Sequence, residues 1–217
     1  QAAAANLTPT TLELGGKSPA IIDTDCDLRE AALKIVHGKL LNAGQTCIAP
    51  DYVLVPRSRR DELVAALRSE VGARYPSLDG NRDYTRIINQ AQYQRLSGYL
   101  DDARARGLEV VELAPVADRQ RAQAERLLPP TLVLEPGDDA AIMQDEIFGP
   151  ILVVRSYRDL DHAIEQINGR DRPLALYLFD NDRAVIDKVL DQVVAGGVCI
   201  NETLLHQVCS DLPFGGV

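Results

Sequence analysis

Short apolar runs alternate with longer amphipathic stretches along most of the chain, and this alternation constrains the fold more than any other feature of the sequence. Pro19–Asp23, Tyr52–Val55, Leu108–Leu113, Thr131–Leu134, Ile151–Ser156, Leu174–Phe179 and Gly197–Ile200 are short and apolar, several of them rich in β-branched residues, and read as strands. Leu28–Leu41, Arg59–Arg74, Tyr84–Arg106, Asp159–Ile167 and Arg183–Val193 read as helices. In the first of these, Leu28, Ala31, Ala32, Ile35, Val36 and Leu40 recur at helical spacing. Asp25 or Asp27 can cap it and Asn42-Ala43-Gly44 ends it. Parallel neighbours in a sheet need a crossover, and a helix supplies one. Strands separated by helices therefore predict an α/β domain with a largely parallel sheet flanked by helices. Upstream, Gln1 and four alanines read as the tail of a helix, and Thr10–Leu14 as a further strand stopped by Gly15-Gly16. The charged, irregular stretch Ala114–Leu127 reads as a surface excursion.

Composition narrows the classes of function. A formal net charge of -9 disfavours nucleic acid and anionic membrane as partners, since both repel negative charge. No apolar run approaches the roughly 20 residues that span a bilayer, and the first residues lack the basic flank and apolar stretch of a signal peptide. Cys26, Cys47, Cys199 and Cys209 are scattered, with no CxxC pair, so neither a zinc site nor a disulfide framework is expected. Free thiols fit a reducing cytoplasm. Met143 is the only methionine, and the chain stops on Phe214-Gly215-Gly216-Val217, so we expect a piece of a longer protein.

Three short segments carry chemistry. In Gly44-Gln45-Thr46-Cys47, a cysteine among small and polar residues can act as a nucleophile if its thiolate is accessible; the alternative is a buried structural cysteine. In Leu12-Glu13-Leu14-Gly15-Gly16, a carboxylate closes an apolar strand. An apolar setting suits a general base, and the alternative is a solvated strand end. In Glu146-Ile147-Phe148-Gly149-Pro150, residues i and i+2 of an extended loop share a direction. Glu146 can accept from sugar hydroxyls while Phe148 packs on a flat heterocycle; the alternative is a loop with an anchoring ring and a solvated acid.

Together with the closing Leu212-Pro213-Phe214-Gly215-Gly216, these segments resemble the NAD(P)-dependent aldehyde dehydrogenase superfamily in order and spacing. Glu13 precedes Cys47 by 34 positions, and Cys47 precedes Glu146 by 99. Gly44–Leu54 and Pro173–Phe179 look like its class-three branch, and Ile200–His206 looks most like the bacterial coniferyl-aldehyde dehydrogenases.

The resemblance implies oxidation of an aromatic or longer aliphatic aldehyde, such as coniferyl aldehyde, to a carboxylic acid. The cofactor is NAD, with NADP as the variant. Cys47 would form a thiohemiacetal and, after hydride transfer, a thioester, which water activated by Glu13 would hydrolyse. Glu146 and Phe148 would hold the nicotinamide end of the cofactor. It also implies that residues 1–217 form the catalytic domain, that the cofactor-binding domain and the oligomerisation segment lie outside them, and that the parent is a homodimer or higher homo-oligomer. The isolated piece is then expected to lack activity and to bind NAD poorly. His206 falls where family members close the substrate tunnel, and is either tunnel-lining or an ordinary loop histidine. His37 and His162 read as structural or surface residues, and Cys199 as core. Two other readings stand beside this one: a CoA-acylating aldehyde dehydrogenase, which the retention of Glu13 disfavours, and a non-catalytic homologue, which Cys47 and Glu13 together disfavour.

Overall fold

The computed structural model describes residues 1–213, 215 and 216; Phe214 of the closing motif lies outside the described residues. In chain order the helices and strands are α1 (Ala2–Ala5), β1 (Pro19–Ile22), α2 (Leu28–Leu40), β2 (Tyr52–Pro56), α3 (Arg60–Arg74), α4 (Gln90–Ala105), β3 (Glu109–Glu112), α5 (Arg119–Ala124), β4 (Thr131–Leu134), α6 (Ala141–Gln144), β5 (Ile151–Tyr157), α7 (Leu160–Asn168), β6 (Ala175–Phe179), α8 (Arg183–Gln192) and β7 (Gly197–Ile200). The sheet runs β3-β4-β5-β2-β1-β6-β7. All pairs are parallel except β3 with β4, so the fold is the α/β type expected. The antiparallel strand β3 sits at an edge, where Glu109 and Glu112 blunt further pairing.

Successive strand residues point to opposite faces, and both faces are covered. Ala20, Ile22, Val53, Val55, Tyr177 and Phe179 pack with α2 and α3. Ile21, Tyr52, Leu54, Val153, Leu176 and Leu178 pack with α4, α7 and α8 on the other side. Of the two candidate caps for α2, Asp27 is the one used; its carboxylate accepts from the amides of Arg29 and Glu30. Asn89, Asp159 and Asp182 cap α4, α7 and α8 in the same way.

Two expectations need correction. Thr10–Leu14 forms no strand. Leu12 and Leu14 are 77% and 72% exposed, and an extended segment without a hydrogen-bonded neighbour is not a stable strand. The helix expected from Tyr84 starts at Gln90. Before it, two side chains and a distant carbonyl occupy the backbone groups that a helix would use. The Arg86 guanidinium donates to the carbonyls of Asn81 and Tyr84, the Ile88 amide donates to Gln45 Oε1, and the Ile87 amide donates to the Arg126 carbonyl. The expected surface excursion contains α5, capped by Asp118.

One consequence of the topology places the site. Six strands run in the same direction, so the segments that lead into β1, β2, β5 and β6 reach one rim of the sheet. These are residues 13–18, 45–51, 145–150 and 172–174. Among the described residues no helix is long and apolar enough to cross a membrane.

Candidate active site

The chain leaves α2 through a tight turn. Asn42, Ala43 and Gly44 all have positive φ, at 53°, 52° and 73°. A Cβ on Gly44 would lie 2.3 Å from the Gly149 carbonyl oxygen and 3.0 Å from that of Lys39. Glycine therefore lets the Cys47 segment lie directly on the loop that carries Glu146 and Phe148. Gln45 pins the turn: its Nε2 donates to the carbonyls of Asn42 (3.1 Å) and Arg86 (3.2 Å), and its Oε1 accepts from the Ile88 amide (2.9 Å). The Ala49 amide donates to the Thr46 carbonyl (3.0 Å), and the Tyr177 hydroxyl donates to that of Ile48 (2.5 Å). Between these fixed points Cys47 is a half-buried free thiol, and its side chain makes no hydrogen bond among the described residues. A held backbone with an unengaged sulfur is what a nucleophile needs. Buried structural cysteines are found elsewhere, at Cys26, whose thiol burial pushes up to about 11, and at Cys199, which burial also raises.

The Glu146 loop is anchored on every side. Arg95 donates to the carbonyls of Glu146 (3.1 Å) and Ile147 (2.7 Å) and stacks over the Tyr99 ring at 5.3 Å. Lys17 donates to the carbonyls of Ile142 (2.8 Å) and Asp145 (2.9 Å) and pairs with Asp51 at 2.5 Å. Asp51 Oδ2 accepts from the Ile147 amide at 2.8 Å. Burial raises the Glu146 carboxyl above its ordinary range, opposed mainly by a hydrogen bond from the Gly16 amide. A Cβ on Gly15 would stand 2.4 Å from Glu146 Oε1, so the glycine makes the cradle for this carboxylate. Phe148, at φ 50°, is 40% exposed. Beside Glu146 opens a cleft of about 840 Å³, lined by Gly15, Gly16, Lys17, Met143, Arg170 and Arg172 among others. A carboxylate at the wall of a cleft and an exposed ring two residues on fit a ribose and a flat heterocycle, so these residues suit a nicotinamide cofactor.

The fold thus joins the Cys47 loop to the Glu146 loop through Gly44 and Gly149, and the Glu13 segment to Glu146 through Gly15 and Gly16. It does not link Glu13 to Cys47: no hydrogen bond joins them among the described residues. The apolar setting expected around Glu13 is not formed there, since Leu12, Glu13 and Leu14 are all exposed.

The model of the aldehyde dehydrogenase family matches residues 1–217. The chain belongs to this family.

Among curated relatives, a probable coniferyl aldehyde dehydrogenase of Pseudomonas aeruginosa is 52% identical over 217 residues, covering 100% of this chain and 44% of the relative. The rat dimeric NADP-preferring aldehyde dehydrogenase is 42% identical, covering 100% of this chain and 46% of that protein. Among solved structures, the substrate-bound state of Staphylococcus aureus AldH matches with a TM-score of 0.91 and 43% identity, over 100% of this chain and 46% of that one. Other matching structures of the family hold NAD+ or NADP. The chain spans less than half the length of these relatives.

Within this aldehyde dehydrogenase domain, sequence reasoning missed the ionic groups behind the motifs: Asp51, Arg95 and Lys39. Lys39 is buried in the last turn of α2. Burial pushes its amine down to about 8, opposed by Asp51 and Glu146 and reinforced by Lys17. Its place in an otherwise apolar helical face was the one available signal. His206 is half-buried, with Nδ1 3.1 Å from Cys199 Sγ and its ring 6.2 Å from that of Tyr177. Burial lowers its pKa. His37 is on the surface, and His162 receives the Arg158 amide on α7.

Proposed function

We propose that the protein oxidises an aromatic aldehyde of the coniferyl type to the carboxylic acid, using NAD or NADP. The observation that carries the reading is the free Cys47 thiol on a pinned turn seated against the Glu146–Phe148 loop. The 52% identity to a probable coniferyl aldehyde dehydrogenase supports the substrate class. Cys47 Sγ adds to the carbonyl carbon as the nucleophile. Its own backbone N–H, which has no partner among the described residues, is available to the oxyanion. The bound nicotinamide cofactor supplies the hydride acceptor. Glu146 orients it through a ribose hydroxyl, and Phe148 packs against the same end. Glu13 takes the proton of the attacking water, so that the acyl group leaves Cys47 as the acid.

Residues 1–217 serve as the catalytic domain, with most cofactor contacts made elsewhere in the protein; the share of the relatives that the chain covers supports this. A homodimer is the assembly we favour, in line with the rat relative described as dimeric. The scattered free cysteines favour a cytoplasmic setting. The test is Cys47→Ser in the full-length protein. Turnover of coniferyl aldehyde should vanish while the melting temperature holds, and a serine variant that retains activity overturns the assignment.

A further inference from the structure

Three segments far apart in sequence meet at one ion pair. Lys17 lies four residues after Glu13, and Asp51 four residues after Cys47. Their side chains, 11% and 3% exposed, are 2.5 Å apart. Each then reaches the third segment: Lys17 donates to the Asp145 carbonyl, and the second oxygen of Asp51 accepts from the Ile147 amide. Glu146 is the residue between these two anchors. The Asp51 amide also donates to the Ser18 carbonyl at 2.8 Å, which holds the two strand entries side by side.

A buried ion pair adds little net stability, because desolvating both charges cancels most of their attraction. Its directional bonds nevertheless fix where the joined atoms sit. Losing the pair does not release the loop. Arg95 still holds the carbonyls of Glu146 and Ile147, and Ile142 and Ile147 stay in the core. What loosens is the placement of the Glu146 carboxylate relative to the Cys47 segment.

We propose that Lys17 and Asp51 are positioning residues, a clasp that sets Glu146 against the nucleophile segment and so tunes cofactor placement. The proposal rests on the reading of Glu146 as a cofactor contact, and the test separates the two. Steady-state kinetics of the full-length enzyme would compare Lys17→Met, Asp51→Asn, Lys17→Arg and Glu146→Gln. Single removals leave one buried charge unpaired, so the double variant Lys17→Met with Asp51→Leu, which removes both charges, guards against simple unfolding.

Lys17→Met, Asp51→Asn and the double variant should each raise the cofactor KM about tenfold, because small misplacements at a reacting centre are costly. The aldehyde KM and the alkylation rate of Cys47 should stay within about twofold, since the Gln45 pins are untouched. Lys17→Arg, which keeps charge and donors, should recover most of the loss. If Glu146→Gln raises the cofactor KM and the double variant does not, the clasp is overturned and the Glu146 reading stands. If Glu146→Gln changes nothing, the Glu146 reading fails and the clasp proposal falls with it. Equal losses in cofactor and aldehyde KM in the folded double variant would mark a purely structural pair and also overturn the proposal.

Discussion

The two rims of the parallel sheet use polar groups in opposite ways. At the rim where strands begin, Lys17, Lys39, Asp51 and Glu146 bring both signs of charge together, and Cys47 and Phe148 are left with unengaged surface. At the rim where strands end, polar groups close on one another. The Tyr157 hydroxyl donates to the Ile22 carbonyl (2.7 Å) and to Asp23 (2.9 Å). Asp180 hydrogen-bonds Asp23 through its side chain, its amide donates to Asn201 Oδ1, and its carbonyl accepts from Asn201 Nδ2. Arg59 donates to the carbonyls of Asp23, Thr24 and Cys26. The strand order reverses between β1 and β6, and in open α/β sheets ligands commonly bind beyond the carboxyl ends of strands at such a point. Here the polar groups at that end bond one another, and the candidate site lies at the opposite rim. Residues, not topology, locate chemistry.

This contrast fails if changes at Glu13 and Glu146 on the opening rim alter stability alone, or if changes at the closing rim alter activity. After the loss expected of Cys47→Ser, the largest effect should come from Glu13→Gln. Loss of a general base costs about 10²–10⁴-fold in turnover. A first burst of reduced cofactor should survive, because the thioester still forms. Rapid-mixing absorbance reads both, and normal steady turnover would leave Glu13 a solvated acid with no part in the reaction. Next, Glu146→Gln should slow hydride transfer or raise the cofactor KM by roughly tenfold, with the aldehyde KM little changed. An unchanged cofactor constant would favour the solvated-loop alternative.

Two smaller effects concern stability. Burial holds the Lys39 amine near 8, below its ordinary 10.5. Between those values the unfolded chain binds the proton and the folded chain does not, so stability should rise with pH across that window. Lys39→Met should abolish that rise and stabilise the fold near neutral pH, read by melting curves from pH 7 to 10. A rise that persists in the variant would assign it to another group.

At the closing rim, burial pushes the Asp180 carboxyl up, and Asp23 beside it adds to the shift. The folded state keeps a proton that the unfolded chain releases, so stability falls as pH rises through the folded value. Asp180→Asn should flatten that slope and raise the melting temperature by a few degrees near pH 7. Dehydrogenase activity should be unchanged, and a loss of activity at equal stability would erase the distinction between the rims.

Much was legible from the sequence because it rests on local rules. Short apolar runs and helical spacing gave the α/β alternation, and Asp27 is one of the two caps expected for α2. The order of Glu13, Cys47 and Glu146 pointed to the family, and the family comparison agrees. Contacts across long separations were not legible. The failed strand at Thr10–Leu14 needed a neighbour that periodicity cannot supply. The late start of α4 depended on Gln45, 43 residues before Ile88.

The sequence by itself therefore determined the strands of the sheet and most of the longer helices, and which residue types could do chemistry. Only the tertiary structure decided that Gly44 lies on Gly149, that Glu146 is cradled by Gly15, and that Lys17 reaches Asp51 and the Asp145 carbonyl. The physical reason is that local pattern measures how a segment buries its own apolar face. Where a buried charge finds its partner depends on chain crossings that bring distant residues to one rim, and no local pattern encodes those.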